Sequence, residues 1–277
     1  MQLTFTKMQG IANDYIYINC FEQQVENVEE LAVRLSRRRF SIGADGIILI
    51  LPSEKADCRM EIYNADGSVA MMCGNGIRCV GKYVYERGIA KKEVLQVETR
   101  SGIKTLYLTV EDGQVVSVRV NMGRPGLTPQ SIPALLDTLV DVPLQTGGET
   151  YRVTCVSMGN PHCVQFVEDV DSLDLPRIGP GLENHPAFPQ RANVEFIQVL
   201  NYGEVKMRVW ERGSEETWAC GTGACASVVA CCLNGKTGRD VLVHLRGGDL
   251  HIRWNEATDE VEMTGPAEIV FDGTVEV

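Results

Sequence analysis

An internal repeat limits the folds open to this chain. Cys73 in the segment CGNG is followed 147 residues later by Cys220 in CGTG. The same offset relates three further pairs: Tyr63 and Trp210, Asn13 and Asn160, and Gly46 and Asn193. Repetition at one spacing predicts two halves of similar architecture, related by a pseudo-twofold axis. We expect the two Cys-Gly-x-Gly turns to face each other across the seam, which is a common place for a ligand site.

The segments around each cysteine predict a mixed α/β (α+β) fold. Residues 94–122 and 240–263 alternate in polarity, are rich in β-branched residues and contain Asp-Gly and Gly-Gly-Asp turns, so they predict antiparallel meanders rather than βαβ units. The helix predicted from Thr222 to Leu233 carries no charge on any face and must be buried. Each half is therefore predicted to be a mainly antiparallel sheet rolled around a central buried helix.

The predicted domains are not both continuous in sequence. The Pro- and Gly-rich segment 121–129 is the predicted crossover, and the tail after Pro266 is predicted to return as a strand to the first half. The predicted domains are residues 1–120 with 266–277, and residues 121–265. One further helix is predicted from Asn27 to about Arg39, opened by a capping box of Asn27 and Glu30.

Composition narrows the functional classes. The net charge of -11 makes nucleic acid and membrane surfaces poor partners, because both are anionic. The N-terminal sequence has no signal-peptide layout and no apolar run approaches a membrane span, so we expect a cytoplasmic protein. The ten cysteines are then expected to be thiols. They form no C-x-x-C pair and the four histidines show no ligand spacing, so no metal site is predicted.

Cysteine at the start of a glycine-rich helix suggests acid/base chemistry. The free N–H groups and the helix dipole favour negative charge, so the thiol pKa is expected to fall towards neutrality. The N–H groups of 74–76 and 221–223 could cradle a carboxylate. A thiol on either side of the adjacent carbon could remove a proton from one face and return one to the other. No cofactor is required.

Other motifs are given ordinary structural roles. The eight remaining cysteines are interpreted as small buried residues. The run GIRCVGK imitates a phosphate-binding loop, but Tyr83 replaces the required Ser or Thr. Ser157 lacks the glycine spacing of a nucleophile elbow. His162 is interpreted as a hydrogen-bonded structural histidine, and residues 37–39 as a solvated helix end.

Taken together, the motifs resemble those of the diaminopimelate epimerase family. The resemblance covers essentially the whole chain, through KMQGIANDY, GADG, YNADGS, MCGNGIRC, VSMGNPHCV, RANVEF and ERGSEETWACGTGACA. It implies a cofactor-independent enzyme of lysine synthesis that interconverts LL- and meso-diaminopimelate, a small-molecule substrate. It also implies a homodimer and two domains, each a sheet rolled around a central helix.

The resemblance also implies roles for individual residues. Cys73 and Cys220 match the two acid/base thiols, and the first of them takes the proton from the LL isomer. The backbone cradle and the residues that recognise the two amino acid heads of the substrate are matched by Gly74, Asn75, Gly221, Thr222, Asn13, Asn64, Asn160, Asn193, Glu211 and Arg212. A forked guanidinium suits the far carboxylate, and amide oxygens with the Glu211 carbonyl suit the far ammonium.

Two positions depart from the family pattern. Many members have Gln where this chain has Gly46, so a contact from that side chain is lost or replaced. Others have Gly where this chain has Glu215, just before the second thiol. A carboxylate that faced inward there would raise the pKa of the thiol, but we expect Glu215 to point to solvent.

Several other functions remain open at this point. A proline racemase would have His where this chain has Asn75, and the isomerase branch of the fold lacks the catalytic cysteines. A histidine racemase could share the asparagine motif and differ in the pocket for the far end of the substrate, although Arg212 favours diaminopimelate. A thiol-redox or thiol-binding protein is the alternative from a different class.

Overall fold

The structure is a computed structural model that describes residues 2–277, and its chain divides into two compact units. The first unit contains residues up to Val120 together with Thr264–Val277, and the second contains Asn121–Met263. Among the described residues, no helix is long and apolar enough to cross a membrane.

The first unit is built from strands that enclose one helix and carry another on the outside. Its elements, in chain order, are β1 (Gln2–Gly10), β2 (Asn13–Asn19), α1 (Val28–Ser36), β3 (Gly46–Leu51), β4 (Cys58–Asn64), β5 (Val69–Ala70), α2 (Gly74–Glu86), β6 (Val94–Thr99), β7 (Gly102–Glu111) and β8 (Gln114–Gly123). The second unit contains a 3₁₀ turn (Pro129–Ser131), β9 (Val142–Thr146), β10 (Glu149–Ser157), β11 (Pro161–Phe166), α3 (Leu175–Glu183), β12 (Asn193–Asn201), β13 (Glu204–Glu211), β14 (Glu215–Thr217), α4 (Gly221–Leu233), β15 (Asp240–Leu245), β16 (Gly248–Trp254) and β17 (Val261–Gly265). The last strand, β18 (Glu268–Glu276), belongs to the first unit and pairs antiparallel with β1.

The two units share one strand topology. In the first unit β2 pairs parallel with β3, β3 antiparallel with β4, and β4 parallel with β6. In the second unit the corresponding pairs are β11 with β12, β12 with β13, and β13 with β15, with the same directions. The helices α2 and α4 begin and end at positions that differ by the repeat offset of 147 residues. Most pairs are antiparallel, but the parallel pairs beside each helix were not predicted from the meander pattern.

Each unit packs a helix against its own sheet. The helix α2 contacts β1, β2, β4, β7 and β18, and α4 contacts β10, β11, β12, β15 and β16. The helix α4 is buried along nearly its whole length, as its uncharged sequence predicted. Small side chains allow this close approach: a Cβ at Gly81 of α2 would lie 2.8 Å from Leu106 Cδ2.

The helix α1 differs from its prediction. It begins at Val28 and ends at Ser36, so the three arginines lie beyond its end. The predicted capping box does not form, because Asn27 has a left-handed backbone (φ 49°) and its side chain makes no capping hydrogen bond. The apolar face of α1 instead holds it to β3 and β4 through Leu31 and Leu35.

Candidate active site

Cys73 lies at the N-terminus of α2. It is the N-cap residue, with extended backbone (φ -135°, ψ 116°), and its Sγ accepts the backbone N–H of Gly76 at 3.3 Å. The thiol donates to Oδ1 of Asn13 at 3.2 Å and is half-buried. The fold therefore places one predicted binding asparagine directly beside the first predicted catalytic thiol.

The amide of Asn13 is held by a carboxylate from the loop before β3. Asn13 Nδ2 donates to Asp45 Oδ2 at 2.7 Å, and the backbone N–H of Asp14 donates to the same oxygen at 3.1 Å. Arg38 donates to the other oxygen of Asp45 at 3.0 Å and also pairs with Asp14. Arg38 therefore bridges two carboxylates, although residues 37–39 are all exposed, as the predicted solvated segment required.

Tyr15 adds a buried phenol to this cluster. Burial raises its pKa well above the ordinary value, and the nearby thiol of Cys73 and the charge of Asp45 raise it further. The phenol therefore stays neutral. Tyr15 precedes His162 by the repeat offset, so the two units place different rings at corresponding positions.

The other predicted residues of the first unit lie in three different settings. Asn64 ends β4, and its Nδ2 donates to Ser68 Oγ at 3.0 Å. Asn75 is buried and its Oδ1 accepts from Arg78 at 2.9 Å, so its amide oxygen is turned into the helix. Gly74 begins α2 and contributes backbone. At Gly46 a Cβ would lie 2.1 Å from the carbonyl oxygen of Tyr63, so the present backbone has no room for a side chain at this position.

Cys220 repeats the geometry of Cys73 at the N-terminus of α4. It is the N-cap residue (φ -119°, ψ 107°), and its Sγ accepts the backbone N–H of Gly223 at 3.4 Å. Its Sγ lies 3.6 Å from the hydroxyl of Thr222. The side chain is buried, in contrast to the half-buried Cys73.

The expected fall in the thiol pKa does not occur at Cys220. Burial raises its pKa well above the ordinary value, and the charges of Glu211 and Glu195 add to this effect. The Thr222 hydroxyl and the Gly223 N–H act in the opposite direction but are weaker. Burial and the two carboxylates arise from tertiary contacts, so the helix terminus alone did not predict this direction. Cys220 is therefore held as a neutral thiol.

Glu211 supplies one of these carboxylates. It ends β13, and its Oε1 accepts a hydrogen bond from Thr217 Oγ1. Burial raises the pKa of Glu211, while hydrogen bonds from Thr217 and Cys220 partly oppose the rise. Glu215, by contrast, is exposed, as expected from the sequence.

The remaining predicted residues of the second unit lie in two places: Asn160 contacts Thr222, and Asn193 contacts Arg212. Asn160 donates through Nδ2 to Thr222 Oγ1 at 3.3 Å, and its Oδ1 lies 3.0 Å from Nε2 of the buried His162. Asn193 accepts the backbone N–H of Arg212 at 3.0 Å. The Arg212 side chain is half-buried and donates to the carbonyl of Gln190 at 2.9 Å. Gly221 begins α4.

Three residues that hold the predicted site residues in place were not predicted from the sequence. Asp45, Thr217 and Glu195 all contact predicted site residues or their partners, but none stands out from its local sequence. Asp45 and Glu195 do lie in the segments GADG and RANVEF, which carried the family resemblance. In residues 2–277, His, Cys, Asp and Glu side chains form no group that could hold a metal ion.

Comparison with known proteins gives consistent results. The family model described as "Diaminopimelate epimerase" matches residues 5–128 and 154–270. A protein named diaminopimelate epimerase from Desulfovibrio desulfuricans is 55% identical over 279 residues, covering 98% of this chain and 97% of that relative. One of the same name from Acetivibrio thermocellus is 54% identical and covers 99% of each chain.

Solved structures show the same fold at low identity. A probable proline racemase from Agrobacterium radiobacter has a TM-score of 0.73 at 17% identity, over 99% of this chain and 92% of that one. A phenazine biosynthesis protein of the PhzF family from Bacillus anthracis has a TM-score of 0.73 at 16% identity, over 100% of each chain. The predicted fold class is therefore confirmed.

Proposed function

Because the chain belongs to the diaminopimelate epimerase family, we propose that it interconverts LL- and meso-diaminopimelate with Cys73 and Cys220 as its two acid/base groups. One observation carries the assignment of the two thiols. Each cysteine is the N-cap residue of a glycine-rich helix start, with its Sγ accepting the N–H of the third helical residue. None of the other eight cysteines holds such a position. We also propose a place in lysine biosynthesis and a homodimeric, cytoplasmic enzyme.

The chemistry follows from the helix termini. The free N–H groups at the starts of α2 and α4 favour a carboxylate and the negative charge that develops on it when the α-proton leaves. One sulfur must begin as a thiolate to take the proton, and the other must be a thiol to return one to the opposite face. In this proposal the two thiols supply both proton transfers, so no cofactor takes part.

The structure favours one assignment of the two roles. Because burial and two carboxylates raise the pKa of Cys220, its neutral form is favoured and it is suited to donate a proton. As the family resemblance implies, Cys73 is proposed to take the α-proton of the LL isomer, and Cys220 to protonate the carbanion. The roles reverse for the meso isomer.

Polar residues beside the thiols suit a substrate with two amino acid heads. Asn13 and Asn160 lie next to the thiol clusters, together with the Gly74–Asn75 and Gly221–Thr222 backbone. Asn64, Asn193, the Glu211 carbonyl and Arg212 would recognise the distant head. A site built from so many hydrogen-bonding groups rejects substrates that lack that head, because its polar groups would be left unpaired.

The proposal is tested by proton NMR in D2O with LL-diaminopimelate and no added cofactor. The wild type should incorporate deuterium at the α-position and form the meso isomer, and Cys73→Ala and Cys220→Ala should each lose interconversion. Cys58→Ala, at a buried cysteine outside both helix starts, is the matched control and should retain it. Exchange with histidine or proline but not with diaminopimelate would contradict the substrate, and no exchange with any amino acid would contradict the mechanism.

A further inference from the structure

A fully buried carboxylate and imidazole, Glu195 and His162, lie close to the start of α4. Glu195 on β12 and His162 on β11 are both fully buried, and Glu195 Oε1 lies 2.7 Å from His162 Nδ1. The second oxygen of Glu195 is buried with no hydrogen-bond partner. Burying a carboxylate is costly, so its presence requires a compensating role.

Glu195 and His162 begin a continuous series of polar contacts that ends at Cys220. His162 Nε2 lies 3.0 Å from Asn160 Oδ1, and Asn160 Nδ2 donates to Thr222 Oγ1 at 3.3 Å. The Thr222 hydroxyl is 3.6 Å from Cys220 Sγ. These contacts connect a buried carboxylate to the thiol through a histidine, an asparagine and a threonine.

The donor and acceptor in each of these contacts can be assigned from the chemistry of the groups. The amide oxygen of Asn160 can only accept, so His162 Nε2 must carry a hydrogen. The contact between Nδ1 and Glu195 Oε1 then holds one further proton. With its oxygen engaged by His162, the Asn160 amide directs its Nδ2 towards Thr222 at the start of α4. The Asn160 amide thus presents a donor near the N-terminus of α4, where the proposed function places a substrate carboxylate.

Comparison of the two units shows that packing alone does not require Glu195. The corresponding residue of the first unit is Ile48, one repeat offset earlier. Both side chains fill the same local space, because a Cβ at Gly76 would lie 2.7 Å from Ile48 Cδ1 and one at Gly223 would lie 2.6 Å from Glu195 Oε1. The first unit therefore packs an apolar side chain at the position that corresponds to Glu195.

We infer that Glu195 is a positioning residue, which holds His162 with Nε2–H towards Asn160 and so keeps the Asn160 amide N–H directed at the substrate carboxylate. This inference rests on the proposed function for the identity of the ligand. Without Glu195 the ring can adopt the other tautomer, with a lone pair on Nε2. The Asn160 amide would then turn over and present its oxygen to an anion.

The first test is nitrogen NMR of the ¹⁵N-histidine-labelled full chain without substrate, with the His162 signal assigned by its loss in His162→Gln. We expect His162 Nε2 to carry a proton in the wild type. A His162 ring with unprotonated Nε2 would overturn the inference. This readout does not depend on activity, so it decides the inference even if diaminopimelate proves not to be the substrate.

The second test compares steady-state kinetics of Glu195→Ile and Glu195→Gln. Glu195→Ile should raise KM about tenfold with a much smaller change in kcat, because an acceptor replaces a donor at the carboxylate. Glu195→Gln should keep KM within about threefold of wild type, because its amide N–H can donate to Nδ1.

Ser227→Ala is the matched control. Ser227 is buried in α4 and donates to Met207 Sδ, so it takes no part in the polar contacts between Glu195 and Cys220. It should leave KM unchanged. A folded Glu195→Ile enzyme with unchanged KM, or an equal rise in Ser227→Ala, would contradict the inference. If Glu195→Ile does not fold, the wild-type nitrogen spectrum remains decisive.

Discussion

Asp45 accepts a 2.7 Å hydrogen bond from Asn13 Nδ2, and this contact turns the Asn13 carbonyl oxygen towards Cys73. In the second unit the corresponding asparagine, Asn160, has its oxygen engaged by His162 and directs Nδ2 to Thr222. The repeat therefore places an asparagine in each cluster with opposite orientation: Asn13 accepts from the thiol of Cys73, and Asn160 donates to Thr222 beside Cys220. The two thiols consequently meet different hydrogen-bonding groups.

Replacement of Asp45 should lower the rate of epimerisation, because Asp45 orients the Asn13 amide beside Cys73. In Asp45→Ala the Asn13 amide loses the acceptor that orients it, and Arg38 loses one of its two carboxylates. We expect kcat/KM to fall roughly tenfold to a hundredfold, by analogy with other groups that hold a reacting side chain. The measurement is the initial rate of epimerisation. Asp112→Ala, at an exposed turn of the same unit, should keep the wild-type rate. Equal rates for the two variants would contradict the role given to Asp45.

Removal of the Glu211 charge should lower the pKa of Cys220. Glu211 is ionised in the alkaline range where Cys220 titrates, and its charge is the largest influence after burial that raises the thiol pKa. In Glu211→Gln the midpoint of the pH dependence of iodoacetamide alkylation at Cys220 should therefore move to lower pH. Mass spectrometry of the Cys220 peptide provides the measurement. Glu215→Gln removes an exposed charge and should not move the midpoint, and an upward shift in Glu211→Gln would refute the electrostatic argument.

Gly46 should not tolerate a side chain. The Cβ of Gly46→Ala would lie 2.1 Å from the Tyr63 carbonyl oxygen, and backbone in a paired strand cannot easily move. We expect the free energy of unfolding to fall by about 3 kcal/mol, measured by urea denaturation. Gly203→Ala is the control, because the nearest atom there is 3.8 Å from the added Cβ. Similar losses in the two variants would show that crowding is not the cause.

Glu215→Gly should stabilise the protein. Glu215 has a left-handed backbone (φ 60°), which costs roughly 1–2 kcal/mol for an L-residue, while glycine adds about 0.4–1 kcal/mol of unfolded-chain entropy. The net gain expected in urea denaturation is therefore about 0.5–1 kcal/mol. Glu215→Ala, which removes the charge but keeps the strained backbone, should show no gain. The pH profile of turnover should not change, since the side chain is exposed.

Much of the architecture was predictable because it is repeated. The offset of 147 residues aligns α2 with α4 residue for residue, and the uncharged sequence of α4 predicted its burial. The boundaries of α1 were not predictable from its ends, because Asn27 adopts a conformation in which the capping motif cannot form. Its packing on β3 and β4 overrides the local signal.

The environment of the thiols depended on tertiary contacts. Sequence reasoning placed Cys220 at a helix start, but the pKa direction inferred from that position was wrong. Burial by the surrounding sheet and the charge of Glu195, which lies 25 residues away in sequence, outweigh the terminus. Local sequence could not show that these groups meet.

The second glycine of each Cys-Gly-x-Gly turn faces a particular strand residue, Ile48 for Gly76 and Glu195 for Gly223. Because a methyl group at either glycine would overlap that partner, the two positions of each pair are epistatic. Alanine at 223 should be better tolerated together with a shorter residue at 195, and alanine at 76 together with a shorter residue at 48. Each helix start therefore shares its mutational constraint with a residue on a distant strand, and the side chain tolerated at the glycine depends on the size of that residue.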